Sequence, residues 1–232
     1  MKTIGLIGGM SWESTIPYYR IINETVQARL GGLHSAKIVL YSVDFHEIEA
    51  LQRSGDWDRA GALLADAARA LQAAGAECVV LCTNTMHKVA EAIEQAVQLP
   101  LLHIADLTAS AVAQAGLRTV GLLGTRFTME QSFYRERLRQ RHGLDVLVPD
   151  ENERDLIHRV IYEELCRGRI VDVSRADFRA VMRRLVERGA QAIILGCTEI
   201  SLLVDASDAS VPMFDTTRLH ALGAAAWALA DA

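Results

Sequence analysis

The sequence predicts an α/β protein made of two similar halves, each a parallel sheet flanked by helices. Short apolar runs rich in Ile, Val and Leu alternate with long Ala- and Leu-rich segments whose apolar positions have helical spacing. Such alternation is typical of parallel sheets covered by helices on both faces. In addition, three landmarks of the first half return in the same order in the second half. Together, these observations predict a duplicated α/β fold.

Seven short apolar runs are predicted to be buried strands. They span residues 3–7, 37–42, 78–81, 101–104, 119–123, 145–148 and 192–195. Helices are predicted between them, most clearly over residues 57–74 and 175–188, which combine strong helix formers with apolar positions at helical spacing. No stretch rich in Gly, Ser or Pro marks a linker, so the domain organisation has to come from the repeat.

The repeat consists of three pairs of matching segments. Residues 3–8 (TIGLIG) match residues 119–124 (TVGLLG), 116 positions later, and residues 75–81 (GAECVVL) match residues 189–195 (GAQAIIL), 114 positions later. Residues 99–102 (LPLL) match residues 211–214 (VPMF), 112 positions later. Parallel α/β proteins reuse strand patterns, which could explain any one match. Three matches in the same order predict an internal duplication.

The repeat sets Thr83 against Cys197. Continuing the second match without gaps pairs Cys82 with Gly196 and Thr83 with Cys197. Both positions follow a buried strand, and ligands of open parallel sheets bind beyond the carboxyl ends of the strands. Two halves facing one another would present Thr83 and Cys197 to one cleft from opposite sides. This is the geometry that a reaction at both faces of one carbon atom needs. Because side chains alternate along a strand, Cys82 should point elsewhere and pack in the core.

The composition disfavours several classes of function. A formal net charge of -5 gives no basic footprint for a nucleic-acid partner, and no run of about 18 apolar residues predicts a membrane span. The start, MKTIGLIGGM, is predicted to be a first strand rather than a signal peptide, so we expect a cytoplasmic protein whose four cysteines are reduced. Cys78 and Cys82 lack a second ligand pair at zinc-like spacing, and no metal site is expected.

Polar groups at the strand ends are the candidate functional residues. A helix amino terminus at Cys197 would lower the pKa of its thiol; the alternative is an ordinary buried cysteine. Thr83, Asn84 and Thr85 offer hydroxyls, an amide and N–H groups that can bind a carboxylate; the alternative is a plain helix cap. Thr125 follows the second copy of the glycine-ended strand and offers one more hydroxyl.

Two titratable neighbours are candidates for a proton relay. His87 lies on the helix predicted after Asn84, with a solvent-facing or capping role as its alternative. Glu199 follows the candidate thiol and could orient or protonate it; the alternative is an ordinary acid in the first turn of a helix. The glycine loop at residues 8–9 fits neither GxGxxG nor GxSxG, which disfavours a dinucleotide fold and a serine hydrolase.

These residues resemble the aspartate/glutamate racemase superfamily. The resemblance covers essentially the whole chain and rests on Asn84-Thr85 and residues 196–199 (GCTE) occurring together with the loop that begins Gly8-Gly9-Met10. Residues 9–15 (GMSWEST) and 43–48 (VDFHEI) are similar to a bacterial branch of amino-acid or aspartate/glutamate racemases. The resemblance implies two pseudo-symmetric lobes with crossing chains, residues 1–98 plus 211–232 and residues 99–210, and an active site in the cleft between them.

The resemblance also implies a reaction and a set of binding residues. Members of the family use two cysteines on opposite faces of the substrate α-carbon, without pyridoxal phosphate or metal. One thiolate takes the α-proton while the other thiol donates one. By similarity, no cofactor is needed, the partner is a small amino-acid substrate, and a homodimer is expected. The positions that match those holding the substrate or walling its pocket are Met10, Asn84, Thr85, Thr125 and Thr198.

The chain departs from the family pattern at the first cysteine, where it has Thr83. A threonine hydroxyl is a far weaker base than a thiolate. We therefore expect Cys197 to be the base and Thr83 to deliver a proton, through water or His87. Since the second-half cysteine of the family acts on the L enantiomer, we expect faster turnover from L than from D.

Substrate specificity is the second departure. Racemases of the family that act on acidic substrates supply a basic residue after the second strand. Here residues 44–47 read DFHE, His46 is the nearest basic group, and Gln52 follows as a candidate substrate-binding residue. Aspartate or glutamate is favoured because of the branch resemblance. The alternatives are a single-cysteine decarboxylase or isomerase of the same superfamily, and a catalytically inactive carboxylate-binding protein.

Overall fold

The computed structural model describes residues 1–230. Contacts divide the chain into two compact units: a first unit of residues 1–104 with those from 220 onward, and a second unit of residues 105–219. These divisions fall a few residues after the predicted lobe boundaries. Each unit has its own sheet, and every strand pair in both sheets is parallel.

The described residues form seven strands and eleven α-helices. In chain order they are β1 (Ile4–Gly8), α1 (Trp12–Leu30), β2 (Ile38–Ser42), α2 (Phe45–Ser54), α3 (Trp57–Ala73), β3 (Cys78–Leu81), α4 (Ala90–Ala96), α5 (Ile104–Gln114), β4 (Thr119–Gly124), α6 (Arg126–Glu130), α7 (Ser132–His142), β5 (Asp145–Leu147), α8 (Glu151–Glu163), α9 (Asp172–Glu187), β6 (Ala192–Gly196), α10 (Ile200–Leu203), β7 (Met213–Asp215) and α11 (Thr216–Leu229). Short 3₁₀ turns lie at Thr85–Val89, Leu165–Arg167 and Ala206–Asp208. Among residues 1–230, no helix is long and apolar enough to cross a membrane.

The first unit has the strand order β2–β1–β3. Side chains of β1 alternate between the two faces of this sheet, as the strand geometry requires. Ile4 and Leu6 share a buried cluster with α1 and with four alanines of α11. Ile7 packs on the opposite face with α3 and α4, where the buried partners include Leu64, Leu71 and Ile93. Both faces are therefore covered, which explains why the strands read as continuous apolar runs.

The second unit has the strand order β5–β4–β6–β7. Leu123 of β4 and Leu195 of β6 contribute to one buried cluster with α8 and α9. The helical side chains of that cluster recur at helical spacing; they include Ile157, Val160, Ile161, Phe178, Val181 and Leu185. The predicted α/β fold with helix-covered parallel sheets is confirmed.

The strand registers reproduce the sequence repeat residue for residue. Ile4 pairs with Cys78 in the first sheet, and Val120 pairs with Ala192 in the second. These pairs are related by the same offsets, 116 and 114, as the matching segments. The bonds that precede them also correspond, since Glu77 N–H donates to Thr3 at 2.9 Å and Gln191 N–H donates to Thr119 at 2.8 Å. The structure therefore supports an internal duplication.

The strand predicted over residues 101–104 is wrong. Only Leu101 of this run pairs, through a single parallel bridge with Val79, and α5 begins at Ile104. The carbonyl of Leu102 instead accepts a hydrogen bond from His220 Nε2 at 2.6 Å, so it is not available to extend a ladder. The equivalent segment of the second unit does form a strand, β7, which the sequence patterns did not predict.

Candidate active site

The turn after β3 carries Thr83, Asn84 and Thr85, and all three are buried. The N–H of Thr83 donates to the carbonyl of Leu81 at 2.8 Å, which turns the chain out of the strand. Asn84 then stands at the start of the 3₁₀ turn, and its carbonyl accepts a bond from the N–H of His87 at 3.1 Å. The strand and its turn thus place these polar residues at the carboxyl end of the first sheet.

His87 holds this turn through both of its ring nitrogens. Nε2 accepts a hydrogen bond from the N–H of Ile104 at 3.3 Å, so the proton of the neutral ring is on Nδ1. Nδ1 in turn donates to the carbonyl of Thr83 at 2.7 Å. The ring is buried and its centroid lies 4.3 Å from that of His103. This geometry suits a residue that positions Thr83; a proton relay through His87 stays a prediction.

Gln52 and Met10 reach the same end of the first sheet. Gln52 is buried on α2, and its Nε2 donates to Sδ of Met86, in the turn after β3, at 3.0 Å. Met10 follows β1 and packs in the same buried cluster as Met86. Gly9, which precedes Met10, has a φ of +91°, and a Cβ there would collide with the backbone of Val43. Only glycine allows β1 to turn here.

In the second unit, Thr125 and Cys197 follow two adjacent strand ends. Gly124 pairs with Gly196 at the ends of β4 and β6, and the site residues come next on each strand. A Cβ on Gly124 would lie 2.7 Å from the carbonyl oxygen of Gly196, so glycine permits this close approach. Thr125 also caps α6, because its Oγ1 accepts a bond from the N–H of Thr128 at 3.3 Å.

A buried carboxylate, Glu199, is the hydrogen-bonding centre of the turn after β6. The residue is 2% exposed. Its Oε2 accepts hydrogen bonds from Cys197 Sγ at 3.1 Å and from Thr198 Oγ1 at 2.8 Å. Burial and the charge of the same carboxylate raise the pKa of the Cys166 thiol, on the 3₁₀ turn Leu165–Arg167. Glu199 therefore accepts bonds from the thiol of Cys197 and the hydroxyl of Thr198.

Burial and Glu199 decide the protonation of Cys197. Burial raises the pKa of the Cys197 thiol well above its usual value, and the charge of Glu199 raises this pKa further. The expectation that this pKa is lowered is wrong, because burial is the largest influence on the Cys197 thiol and raises its pKa. Cys197 is therefore a thiol in this structure, bonded to a group that can accept its proton.

Sequence reasoning misses Cys166 as a neighbour of the candidate site. This cysteine lies outside the repeat and outside every motif, in a short turn that ends at Gly168 with a φ of +67°. In contrast, the interpretation of Cys82 as a packing residue is confirmed, since it is fully buried in the cluster that covers the first sheet. Among residues 1–230, no group of three or more His, Cys, Asp or Glu side chains is placed to hold a metal ion.

A comparison with known families identifies the relatives of this chain. The family model for Asp/Glu/Hydantoin racemases matches residues 7–224. The chain belongs to this family. Among family relatives with solved structures, it is similar to a candidate Asp/Glu racemase from Yersinia pestis. The two are 63% identical over 99% of this chain and 100% of that one, with a TM-score of 0.92.

Two further relatives span the family more widely. An aspartate racemase homologue from Pyrococcus horikoshii OT3 is 34% identical over 98% of this chain and 99% of that one, with a TM-score of 0.84. The broad specificity amino-acid racemase RacX of Bacillus subtilis (strain 168) is 24% identical over 92% of both chains. The predicted family and its fold of two parallel sheets are therefore confirmed.

Proposed function

We propose that this chain racemises an amino acid without a cofactor, by α-proton transfer between the opposite faces of Cα. Membership of the Asp/Glu/Hydantoin racemase family and similarity to an amino-acid racemase support this reaction class. The observation that carries the proposal is the 3.1 Å hydrogen bond from Cys197 Sγ to Glu199 Oε2. It joins a thiol to a proton acceptor at the end of a buried strand, where parallel α/β proteins bind ligands.

Cys197 is the base for the L enantiomer in this proposal. Its thiol passes a proton to the Glu199 carboxylate, and the resulting thiolate takes the α-proton. Burial raises the pKa of the Cys197 thiol, which makes the thiolate scarce but strongly basic once it forms. A strong base is needed because the α-carbon of an amino acid is a weak acid.

Thr83 is the proton donor for the opposite face. Its hydroxyl gives a proton to the α-carbon and regains one from water, so that one proton is lost and one gained at Cα. A hydroxyl donates a proton more readily than it removes one from carbon. We therefore expect a lower kcat from the D enantiomer than from the L enantiomer. The equivalent places of Thr83 and Cys197 in the repeat support this pairing.

The remaining site residues bind the substrate. Hydroxyl and amide donors stabilise the negative charge that develops on the α-carboxylate as the α-proton leaves. We assign this role to Asn84, Thr85, Thr125 and Thr198, which are all buried at strand ends. We assign the wall of the substrate site in the first unit to Met10 and Gln52, since both contact the buried cluster or turn around Met86.

Aspartate or glutamate is the favoured substrate. The candidate racemase from Yersinia pestis and the aspartate racemase homologue from Pyrococcus horikoshii OT3 support an acidic side chain. The stretch after β2 carries His46 as its nearest basic group, and this residue is exposed. Gln52 can donate to a side-chain carboxylate without a charge. The similarity to a broad-specificity racemase makes a substrate panel necessary.

Proton NMR in D₂O tests the proposal directly. Each L and D amino acid of a panel is incubated with the protein, and loss of the α-proton signal is followed together with chiral chromatography. We expect exchange and inversion with aspartate or glutamate, with a higher kcat from saturating L than from saturating D. Equal kcat values from both enantiomers would contradict the assignment of unequal bases.

The same sample separates the alternatives. Release of CO₂ from a disubstituted malonate, without exchange at Cα, would identify a single-cysteine decarboxylase. Such an enzyme is compatible with Thr83 standing where the family has its first cysteine. Thermal stabilisation by an amino acid without any exchange would identify a carboxylate-binding protein. A cytoplasmic location and a homodimer complete the proposal; cell fractionation and light scattering test them.

A further inference from the structure

An exposed apolar surface covers one side of the first unit. Ten large apolar residues are exposed among residues 1–230, and seven of them lie between positions 12 and 41. Trp12 and Tyr19 are 60% and 58% exposed, and Leu33 is fully exposed. The other four of the seven are Ile16, Leu30, Leu40 and Tyr41. Single exposed apolar residues are ordinary, but a cluster of this kind indicates an interaction surface.

The surface is continuous along α1. Trp12, Ile16 and Tyr19 follow one another at intervals of four and three residues, so they share one face of the helix. Ile16 and Tyr19 also line one groove of about 580 Å³ with Leu33 of the loop after α1. This loop is held against the helix, because Asn23 Oδ1 accepts a hydrogen bond at 2.9 Å from the backbone N–H at position 36. The helix and its loop therefore present one apolar face.

The neighbouring strand β2 is an edge strand of the first sheet. Among residues 1–230 it pairs only with β1, and its five residues (IVLYS) include neither a charge nor a proline. A Cβ on Gly8 would meet both Thr15 of α1 and Leu40 of β2, so the edge adjoins the helix. Proteins protect edge strands with charges, proline or bulges, or cover them, because an open apolar edge binds other chains. β2 therefore extends the exposed surface of α1.

We propose that α1, its loop and the edge strand β2 bind a second copy of the chain in a symmetric dimer. The seven exposed apolar residues present about 700 Å² to solvent, close to the ~800 Å² that each partner contributes to an interface of standard size. This proposal names the interface of the homodimer proposed above, and it does not depend on the reaction that the protein catalyses.

Two charged side chains favour a second copy as the occupant. Arg20 and Glu24 are exposed, line the same groove and lie one turn apart near the middle of α1. Within residues 1–230, neither forms an ion pair. If two α1 helices run antiparallel across a two-fold axis, each Arg20 faces Glu24 of the partner subunit, whereas parallel helices would bring like charges together. The antiparallel arrangement also brings Leu33, near the end of one helix, toward Trp12 of the partner subunit.

Analytical ultracentrifugation over a range of protein concentrations tests the surface. We expect the wild type to be a dimer, and Tyr19→Glu or Leu33→Asp to raise its Kd by more than about 100-fold, because each change buries a charge twice in a symmetric interface. Both side chains are exposed, so the fold should persist, which circular dichroism checks. Val173→Asp, at a 70% exposed position of α9, is the matched control and should stay dimeric. A dimer that persists in Tyr19→Glu and Leu33→Asp would overturn the proposal.

Charge reversal tests the antiparallel arrangement. Arg20→Glu and Glu24→Arg should each raise the Kd by about tenfold, because each sets like charges opposite one another at two places. An equimolar mixture of these two variants should form a heterodimer, since the acids of one copy then face the arginines of the other. The double variant Arg20→Glu/Glu24→Arg should dimerise by itself as the wild type does. A mixture that associates no better than its components would overturn the antiparallel interface.

These measurements need no substrate, so they separate the interface from the proposed reaction. A monomeric wild type would overturn both the interface and the proposed homodimer, and racemisation would still be decided by NMR. A wild-type dimer that none of the first-unit variants weakens would overturn the interface alone. The expected pattern of association in a protein that exchanges no α-proton would support the interface and refute the reaction.

Discussion

The turns after β3 and β6 occupy equivalent positions in the repeat, yet different chemistry surrounds them. In the first unit, the imidazole of His87 hydrogen-bonds to the backbone of Thr83 and of Ile104, next to hydroxyls and an amide. In the second unit, the carboxylate of Glu199 accepts bonds from a thiol and a hydroxyl. The first turn is suited to hold a hydroxyl in place, and the second is suited to receive a proton. A duplicated backbone can therefore support two unlike half-reactions.

The largest expected effect is at the base. Cys197→Ser replaces a thiol with a hydroxyl, so that both turns carry only a weakly basic hydroxyl group. This change should lower α-proton exchange from the L substrate by about a thousandfold. Proton NMR in D₂O measures it, with Cys78→Ala as the matched control for loss of a buried thiol. Exchange by Cys197→Ser at near the wild-type rate would contradict the role assigned to Cys197.

Thr83 offers the next largest effect and a change of outcome. Thr83→Ala removes the donor for the opposite face but keeps Cys197, so deuterium should enter the L substrate with retention, while inversion falls by about a hundredfold. Thr83→Cys should make the two turns alike again and bring the rates from D and L closer together. NMR combined with chiral chromatography distinguishes exchange from inversion. Parallel loss of both in Thr83→Ala would show that Thr83 is needed for more than donation.

Acid should remove the contribution of His220 in the first unit at a higher pH than that of Asp208 in the second. Burial lowers the pKa of His220 from its usual value of 6.5 to about 4. The unfolded chain therefore binds the extra proton first, and up to about 3 kcal/mol of stability is lost as the pH falls from about 6.5 to about 4. In the second unit, hydrogen bonds from Arg175 lower the pKa of Asp208 from 3.8 to about 2, so its contribution is lost only below that window.

Tryptophan fluorescence can follow this difference, because Trp12, Trp57 and Trp227 all lie in the first unit. Denaturant titrations at several pH values should show the fluorescence midpoint falling between about pH 6.5 and pH 4. His220→Gln should lower stability at neutral pH and flatten this dependence. A midpoint that is constant over this range in the wild type would contradict the buried neutral state of His220.

The smallest expected effect concerns the positioning of Thr83. His87→Leu removes the hydrogen bonds of the ring to the carbonyl of Thr83 and the N–H of Ile104, at a cost of about 0.5–1.5 kcal/mol per hydrogen bond. Inversion should fall less than in Thr83→Ala, by about tenfold, because the hydroxyl remains but is held less well. Urea unfolding and chiral chromatography measure the two effects, and His34→Leu, at an exposed position, is the control. A loss as large as that of Thr83→Ala would favour a proton relay through His87.

Much of the fold is readable in the sequence because its strands are buried on both faces. Continuous apolar runs marked six of the seven strands to within one residue at each end. β7 was not predicted because it has three residues and ends in an aspartate, so its apolar run is too short to recognise as a strand. The run at residues 101–104 was wrongly predicted as a strand because it is largely apolar. In the structure, the carbonyl of Leu102 accepts a hydrogen bond from His220 on α11.

The candidate site was predictable where it depends on the repeat and not where it depends on packing. Spacing alone pairs Thr83 with Cys197, because parallel strands keep their register. The pKa of Cys197 could not be read in this way, since its direction depends on burial and on a carboxylate bonded to the thiol. The charge of Glu199 also raises the pKa of Cys166, which lies on a separate turn, and no local pattern encodes that proximity.

The hydrogen bond from His220 to Leu102 bears on how the first unit folds during synthesis. His220 also accepts a hydrogen bond from Tyr18 at 2.9 Å, and the alanines after it complete the buried cluster over β1 and β3. The second unit is one continuous stretch, whereas the first needs residues from both ends of the chain. During synthesis on a ribosome, residues 1–104 therefore leave the first unit without its complete core until α11 has also been made.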